Sequence, residues 1–259
     1  MLQKRVHNDR WSRSDSGISL VRTPPQSTPI KFDALPEPVT VDLSAAALLI
    51  IDMQNDFLHP QGWFACFRHV DVAALTDITH NINAVSAAFR LHRVPIIHIN
   101  WAVRQDVANL PANVLDKGSE CGTRPAYADE ISNGPVLVRD SWGAQTVSQI
   151  NVDPTDIQVD KHRLTGFRDN ALESILRRLG VTTIFYTGMN LDRCVFATLA
   201  DGCFQGFDAI LIEDASSTAS PSHIADAVTY LVRMLYGFTT TSTALCGALS
   251  SLPSDGDMS

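Results

Sequence analysis

From residue 44 onward, apolar runs alternate with segments of helical periodicity. Four runs are apolar at nearly every position, which is typical of strands that are covered on both faces. They are AALLIID (46–52), VPIIHIN (94–100), TTIFYTG (182–188) and FDAILIED (207–214). A shorter run, DIQVDK (156–161), and a weaker one, GFTTTST (237–243), complete the set of predicted strands.

Three helices are predicted between these strands, because apolar side chains recur there every three or four residues. The first has its stripe at Leu75, Ile78, Ile82, Val85 and Phe89, with Asp71 as the N-cap. The second has Leu172, Ile175, Leu176 and Leu179, with Asp169 as the N-cap and Gly180 just past its end. The third begins at Ser220-Pro221 and has its stripe at Ile224, Ala227, Val228, Leu231 and Leu235. Alternating strands and helices predict a parallel sheet with helices on both faces.

Two stretches depart from this alternation. Residues 1–40 hold five of the 13 prolines and show no periodicity, so we expect an extended N-terminal arm ahead of a domain over residues 41–252. The arm contains apolar side chains that it can bury on its own core or on a neighbouring subunit. Residues 101–155 form a long irregular insertion that follows a strand, which is where the wall or lid of a site is often found.

Composition narrows the function classes. The chain is 45% hydrophobic and 19% charged, with a formal net charge of −8, so neither general disorder nor a nucleic-acid groove is expected. The longest apolar run is far shorter than a membrane span, and no apolar segment follows the basic N-terminus, so we expect a cytoplasmic protein. The five cysteines lack CxxC spacing, which favours reduced thiols over disulfides or a zinc site.

Three reactive side chains lie where predicted strands end. Asp52 follows the first run, Lys161 ends DIQVDK, and Cys194 comes shortly after TTIFYTG. Each has an ordinary interpretation when taken alone: a turn former, a solvated charge and a small core residue. Because ligands of open parallel sheets bind beyond the carboxyl ends of the strands, their joint occurrence predicts a site at that edge.

The set has the chemistry of an activated nucleophile. Cys194 precedes a predicted helix, and both the helix dipole and a neighbouring Lys161 ammonium would favour its thiolate. Asp52 can accept the thiol proton and return it to a leaving amine. Backbone N–H groups of the loop before Cys194 can hold an oxyanion. The predicted reaction is acyl transfer from an amide or ureide carbon to water.

Several motifs together resemble the isochorismatase-like cysteine hydrolases. They are LLIIDMQNDF (48–57), the lysine of DIQVDK, GFRDNALESILRRLG (166–180), FYTGMNLDRCV (185–195) and ILIEDASS (210–217). The resemblance implies a doubly wound sheet of six mostly parallel strands and a catalytic triad of Asp52, Lys161 and Cys194. It further implies a cis peptide at Met189-Asn190 and an oxyanion hole formed by the N–H groups of Asn190 and Cys194.

Departures from the family pattern bear on the reaction. Nicotinamidases of the family carry an Asp-x-His metal motif where this chain reads HINWAVRQD (98–106), and isochorismatases proper lack the cysteine. We therefore expect no metal or cofactor and a subgroup similar to ureidoacrylate, biuret and N-carbamoyl amidohydrolases, which act through a thioester. A nicotinamidase-like or isochorismatase-like hydrolase and a catalytically silent binding protein remain the alternatives.

Position along the chain gives four candidate substrate-binding residues. Phe57 comes just after Asp52, Trp101 and Arg104 come just after the second strand, and Phe167 follows Lys161. Arg104 is a candidate for holding a substrate carboxylate, with a solvated surface charge as its alternative. The expected partner is a small amide or ureide rather than a nucleic acid or a membrane. The resemblance also implies a homodimer or homotetramer, which the arm would help to clasp.

Overall fold

The computed structural model describes residues 11–22 and 25–252. Its strands are β1 (Ser12–Ser14), β2 (Gly17–Ser19), β3 (Pro29–Phe32), β4 (Val39–Asp42), β5 (Ala46–Ile51), β6 (Ile96–Trp101), β7 (Glu130–Ile131), β8 (Gly134–Pro135), β9 (Ile157–Lys161), β10 (Thr183–Met189), β11 (Asp208–Ser217) and β12 (Gly237–Thr240). Its helices are α1 (Asn55–Leu58), α2 (Trp63–Phe67), α3 (Val72–Thr76), α4 (Ile78–Leu91), α5 (Ala112–Gly118), α6 (Leu172–Arg178), α7 (Phe196–Phe204), α8 (Ser222–Leu231) and α9 (Ser242–Ser250). Leu191–Val195 and Val232–Tyr236 are π-helical turns, and Leu43–Ala45 is a 3-10 turn.

The six predicted strands form one sheet in the order β12-β11-β10-β5-β6-β9. All five pairings are parallel, so the predicted fold class is confirmed. Every residue of β5 and β10 is buried, because helices cover both faces of the sheet and leave no polar face for solvent. Strand order places β5 beside β10 on one side and β6 on the other, which brings the carboxyl ends of three neighbouring strands together.

The three predicted helices are present, but some of their ends and, in the third helix, most of the predicted stripe differ from the prediction. The first predicted helix is interrupted at Asp77, which separates α3 from α4, and Asp71 caps α3 by accepting from the Ala73 N–H at 3.1 Å. The predicted cap Asp169 was wrong: its carboxylate pairs with Arg163 at 2.9 Å, and α6 begins only at Leu172. Leu235 is 72% exposed, so the stripe predicted for the third helix does not continue to that residue.

The N-terminal arm divides into two parts. Strands β3 and β4 form an antiparallel hairpin that crosses the predicted boundary at residue 40, and its Ile30 and Phe32 are buried in the core. Strands β1 and β2 form a second hairpin, and the apolar side chains around it are more than half exposed, namely Trp11, Ile18, Leu20 and Val21. Residues 1–10, 23 and 24 of the arm lie outside the described residues. In the described residues, no helix combines the length and the hydropathy of a membrane span.

Asp156 links the start of β9 by hydrogen bonds to strand β6 and helix α4. Its carboxylate accepts from His98 Nε2 on β6 at 3.0 Å and from Arg90 Nη2 on α4 at 2.6 Å. Burial raises the pKa of Asp156, but the hydrogen bonds from His98 and Arg90 outweigh burial, so the pKa is lowered overall. A carboxylate with a lowered pKa stabilises the fold above its unfolded pKa, and this contribution is lost as pH falls through its folded pKa.

We expect Asp156→Ala to reduce the free energy of unfolding by about 2–4 kcal/mol at neutral pH, since it leaves a buried imidazole and a guanidinium without their acceptor. Urea denaturation would measure the change, and the deficit should shrink toward acid pH. Asp160→Ala is the matched control, because Asp160 pairs with Arg139 at an exposed site where ion pairs contribute less than about 1 kcal/mol. Equal losses in the two variants would contradict the role given to Asp156.

Candidate active site

The structure brings Asp52, Lys161 and Cys194 together at the carboxyl edge of the sheet. Lys161 Nζ lies 2.9 Å from Asp52 Oδ2 and 3.3 Å from Cys194 Sγ. Asp52 directly follows β5, Lys161 ends β9, and Cys194 lies in the π-helical turn after β10. All three are at most 5% exposed. The ammonium therefore lies between a carboxylate and a thiol in a site that excludes bulk water.

Lys161 has further contacts that hold its charge in place. Its Nζ lies 4.0 Å from the ring centre of Trp101 and donates to the Arg163 carbonyl at 3.2 Å. A fully buried ammonium needs such partners, since an unpaired charge in a low-dielectric interior is strongly unfavourable. The position of Lys161 is consequently fixed from several sides, and its charge is shared between Asp52 and the thiol.

Electrostatics keep the thiol protonated in the resting site. Burial, followed by the negative charge of Asp52, raises the pKa of Cys194 to about 12, although Lys161 opposes the rise. Burial likewise raises the pKa of Asp52, again against the lowering effect of Lys161. The sequence-based expectation of a lowered thiol pKa is therefore wrong, because burial and the charge of Asp52 outweigh the lowering effect of Lys161. The arrangement favours proton transfer from the thiol to Asp52 over a standing thiolate.

The segment before Cys194 passes very close to β5. Gly188 has a φ of 108°, and a Cβ at this position would lie 2.2 Å from the Ile51 carbonyl oxygen, so only glycine fits. The Met189-Asn190 peptide is cis, which confirms the expectation drawn from the resemblance. In the following turn the Asn190 carbonyl accepts from the N–H groups of Arg193 at 3.0 Å and Val195 at 3.2 Å. An α-helical turn would instead use this carbonyl for the Cys194 N–H.

Hydrogen bonds fix this turn to the elements around it. Asn190 Oδ1 accepts from the Ala219 N–H at 3.0 Å, and Asp192 accepts from the hydroxyl groups of Thr218 at 2.5 Å and Ser220 at 2.8 Å. Thr198 Oγ1 donates to the Cys194 carbonyl at 2.6 Å. The backbone around the thiol is thus preorganised before any substrate binds.

Two of the predicted substrate-binding residues belong to one aromatic cluster near the triad. Trp101 contacts Lys161 as described, and its ring centre lies 5.0 Å from that of Tyr127. Tyr127 in turn lies 5.4 Å from Trp63, and Trp63 lies 6.4 Å from Phe57. The structure therefore connects both Trp101 and Phe57 to the site, although Phe57 does so only through its neighbours.

The other two predicted substrate-binding residues have contacts elsewhere. The Arg104 guanidinium makes two hydrogen bonds to Asp106, at 2.8 and 2.6 Å, and its side chain is 64% exposed. Phe167 is buried against the ring of Phe207, with centres 5.8 Å apart, and against Gly202 of α7. These contacts do not connect Arg104 or Phe167 to the triad, so a substrate-binding role for either side chain stays a prediction.

Sequence reasoning missed the polar residues that attach the 101–155 insertion to the site. Gln54 donates to the carbonyls of Trp101 at 2.8 Å and Ala144 at 2.7 Å, and its Oε1 accepts from the Trp101 N–H at 2.8 Å. Asn55 donates to the Trp142 carbonyl at 2.9 Å, and Asp56 accepts from the Leu137 N–H at 2.8 Å. A signal was present, because three consecutive polar side chains directly after a buried strand need internal partners.

Tyr127 is a second omission, since it lies in the irregular insertion and carries no motif. It borders an open cavity of about 650 Å³ formed by that insertion. Within the described residues, no group of three histidine, cysteine, aspartate or glutamate side chains is arranged to hold a metal ion.

Comparisons with known proteins agree with this architecture. A family model described as "Isochorismatase domain" matches residues 46–244. The ureidoacrylate amidohydrolase RutB of Caulobacter segnis is 28% identical over 225 residues, which cover 86% of this chain and 93% of the relative. A cysteine hydrolase from Pseudomonas syringae pv. phaseolicola superposes with a TM-score of 0.70 at 20% identity, over 82% of this chain and 95% of that one. The N-carbamoylsarcosine amidase of Thermoplasma acidophilum superposes with a TM-score of 0.59 at 23% identity, over 76% of this chain and 96% of that chain.

Proposed function

This chain belongs to the isochorismatase family, and we propose that it is a cysteine-dependent amidohydrolase. It cleaves a carbon–nitrogen bond of a small linear amide, ureide or N-carbamoyl compound through a thioester acyl-enzyme. The observation that carries the proposal is the position of one buried lysine within 3.3 Å of both a carboxylate and a thiol. The relatives named ureidoacrylate amidohydrolase and N-carbamoylsarcosine amidase support the same bond class.

Acylation begins with attack of Cys194 Sγ on the carbonyl carbon while Asp52 takes the thiol proton. The carbonyl oxygen becomes an oxyanion, for which the N–H groups of Asn190 and Cys194 are the proposed donors. The π-helical turn supports this assignment, because the Asn190 carbonyl bonds to Val195 and Arg193 and not to the Cys194 N–H. When the tetrahedral intermediate collapses, the carbon–nitrogen bond breaks and Asp52 returns its proton to the leaving nitrogen.

Deacylation uses the same groups in reverse. Asp52 accepts a proton from a water molecule as the water oxygen attacks the thioester carbon. The carbon–sulfur bond then breaks, the proton passes from Asp52 to sulfur, and the acid product leaves. The Lys161 ammonium stabilises the Asp52 carboxylate in the resting site, and the proposed oxyanion-hole N–H groups stabilise the negative charge once it lies on the carbonyl oxygen.

Other functions fit the residues less well. A nicotinamidase-like activity lacks the expected metal motif after β6, and an isochorismatase-like activity does not use the cysteine. A silent binding protein has no need to keep a lysine fully buried between two potential anions. The amidohydrolase uses every group of the triad, which favours it over these alternatives.

Ammonia release from a panel of small amides tests the proposal. The panel contains ureidoacrylate, biuret, maleamate and N-carbamoyl amino acids, with nicotinamide as a cyclic contrast. We expect release from at least one linear compound and a trapped acyl-enzyme, detected as a mass increase on the Cys194 peptide. If none of these compounds is turned over and no acyl-enzyme mass is found on the Cys194 peptide, the proposal is wrong.

The pH profile distinguishes proton transfer to Asp52 from attack by a standing thiolate. Asp52 must be ionised to accept the proton, and burial raises its pKa above the ordinary 3.8. We therefore expect kcat/KM to fall toward acid pH with a single ionisation above that of an ordinary aspartate, and to remain level across neutral pH. A profile that keeps rising through neutral pH toward the raised Cys194 pKa of about 12 would contradict the role of Asp52.

A further inference from the structure

Tyr127 lines the open cavity and also contacts Trp101, the aromatic side chain beside Lys161. The cavity, of about 650 Å³, is formed by the 101–155 insertion and opens to solvent. Its lining includes Gln105, Leu115, Ser119 and Cys121 together with the ring of Tyr127. A cavity of this volume is large enough for a small amide and its neighbouring groups.

Tyr127 is connected to the triad through one aromatic neighbour. Its ring centre lies 5.0 Å from that of Trp101, and the Trp101 ring lies 4.0 Å from Lys161 Nζ. Lys161 in turn contacts Cys194 Sγ. Two rings therefore separate the cavity from the lysine, and Tyr127 is the one that borders both the cavity and the aromatic cluster.

Packing holds this ring in position. A Cβ at Gly118, the last residue of α5, would lie 2.9 Å from Tyr127 Cε2, so the ring occupies the space that a larger residue at 118 would need. Trp63 supports it from another side at 5.4 Å. The ring thus forms a fixed wall of the cavity.

The hydroxyl group of Tyr127 is available to a ligand. In residues 11–22 and 25–252 it makes no hydrogen bond to protein, and Tyr127 is half-buried at the edge of the cavity. Burial, and after it the charges of Cys194 and Asp52, raise the pKa of Tyr127. The hydroxyl therefore keeps its proton at neutral pH and lies within electrostatic reach of the groups that react.

We propose that Tyr127 is a specificity-determining residue, whose ring is the wall between the cavity and the triad and whose hydroxyl donates a hydrogen bond to the bound substrate. The substrate then needs an oxygen that can accept this hydrogen bond, either the scissile carbonyl oxygen or another one. It must also be narrow enough to pass the Tyr127 ring on its way to Cys194. The proposed hydrogen bond from the hydroxyl to the substrate rests on the proposed amidohydrolase function. The proposed role of the ring as a wall does not rest on that function, because it concerns only access to Cys194.

Alkylation of Cys194 tests the wall without any substrate. The rates with iodoacetamide and with the bulkier N-phenylmaleimide are measured by peptide mass spectrometry, with exposed Cys66 as the internal reference. Tyr127→Ala should raise the bulky-to-small rate ratio at Cys194 at least about tenfold. Tyr127→Phe, which keeps the ring, and Tyr230→Ala, at a residue that is 61% exposed, should leave it unchanged. If the alanine variant does not fold, Tyr127→Leu carries the same comparison.

Kinetics of Tyr127→Phe test the hydroxyl. Loss of one hydrogen bond should lower kcat/KM about threefold to tenfold, with the pH profile unmoved. If the alkylation ratio is unchanged in the alanine or leucine variant, the ring does not limit access to Cys194. If Tyr127→Phe keeps the wild-type kcat/KM on every compound that the enzyme accepts, the hydroxyl does not donate to the substrate. If the wild type turns over no compound, the proposed function fails while the alkylation result still decides the wall.

Discussion

Cys194→Ala is expected to lower ammonia release at least about a thousandfold, because the sulfur that forms the acyl-enzyme is gone. Cys194 Sγ is buried against Lys161 Nζ, and the change removes a single atom, so the free energy of unfolding should change by only about 1 kcal/mol. Initial rates of ammonia release and thermal unfolding, measured on the same preparations, check both halves of the expectation.

Cys203→Ala is the matched control for the nucleophile. Cys203 lies on α7, the helix that follows the π-helical turn of Cys194, and its thiol donates to the Tyr236 carbonyl at 3.3 Å. This variant should lose some stability and keep its activity. If Cys194→Ala retained substantial turnover, or if both variants lost activity equally, the nucleophile would have to be sought elsewhere.

Lys161→Met should be the most destabilising change at the site, lowering the free energy of unfolding by about 3–5 kcal/mol and abolishing turnover. Methionine keeps most of the side-chain volume but leaves the Asp52 carboxylate buried without its cation, 2.9 Å from where the ammonium was. Urea denaturation at neutral pH, where Asp52 would otherwise be ionised, gives the loss of stability.

The double variant Asp52→Asn/Lys161→Met separates charge from packing. With both charges removed, much of the stability lost in Lys161→Met should return, whereas activity should not. If Lys161→Met alone cost less than about 1 kcal/mol, Asp52 would not be carrying a buried charge in the wild type, and the proposed ion pair would be wrong.

The fold could be predicted because its strongest determinants are local in sequence. Continuous apolar runs such as 46–52 and 182–188 are typical of doubly covered strands, and the residues that follow such parallel strands collect at one edge of the sheet. This rule was enough to bring Asp52, Lys161 and Cys194 together without knowledge of any loop.

What could not be predicted depends on contacts between distant segments. The direction of the Cys194 pKa is set mainly by burial, and the degree of burial depends on contacts that the local sequence does not contain. Asp169 is a good capping residue by type, but Arg163 competes for its carboxylate. The Tyr127 ring packs against Gly118 of α5 and near Trp63 and Trp101. No pattern within 101–155 distinguishes this tyrosine from the other residues there.

Strand β9 is the edge strand of the sheet and pairs only with β6, yet it supplies Lys161. Edge elements open locally at a smaller free-energy cost than the centre of a sheet. In the proposed mechanism, local opening of this strand, which Asp156 restrains at its beginning, would move Lys161 away from Asp52 and the thiol. Inactivation can precede the loss of the core, and the protein can be folded in its bulk while its thiol lacks the cation beside it.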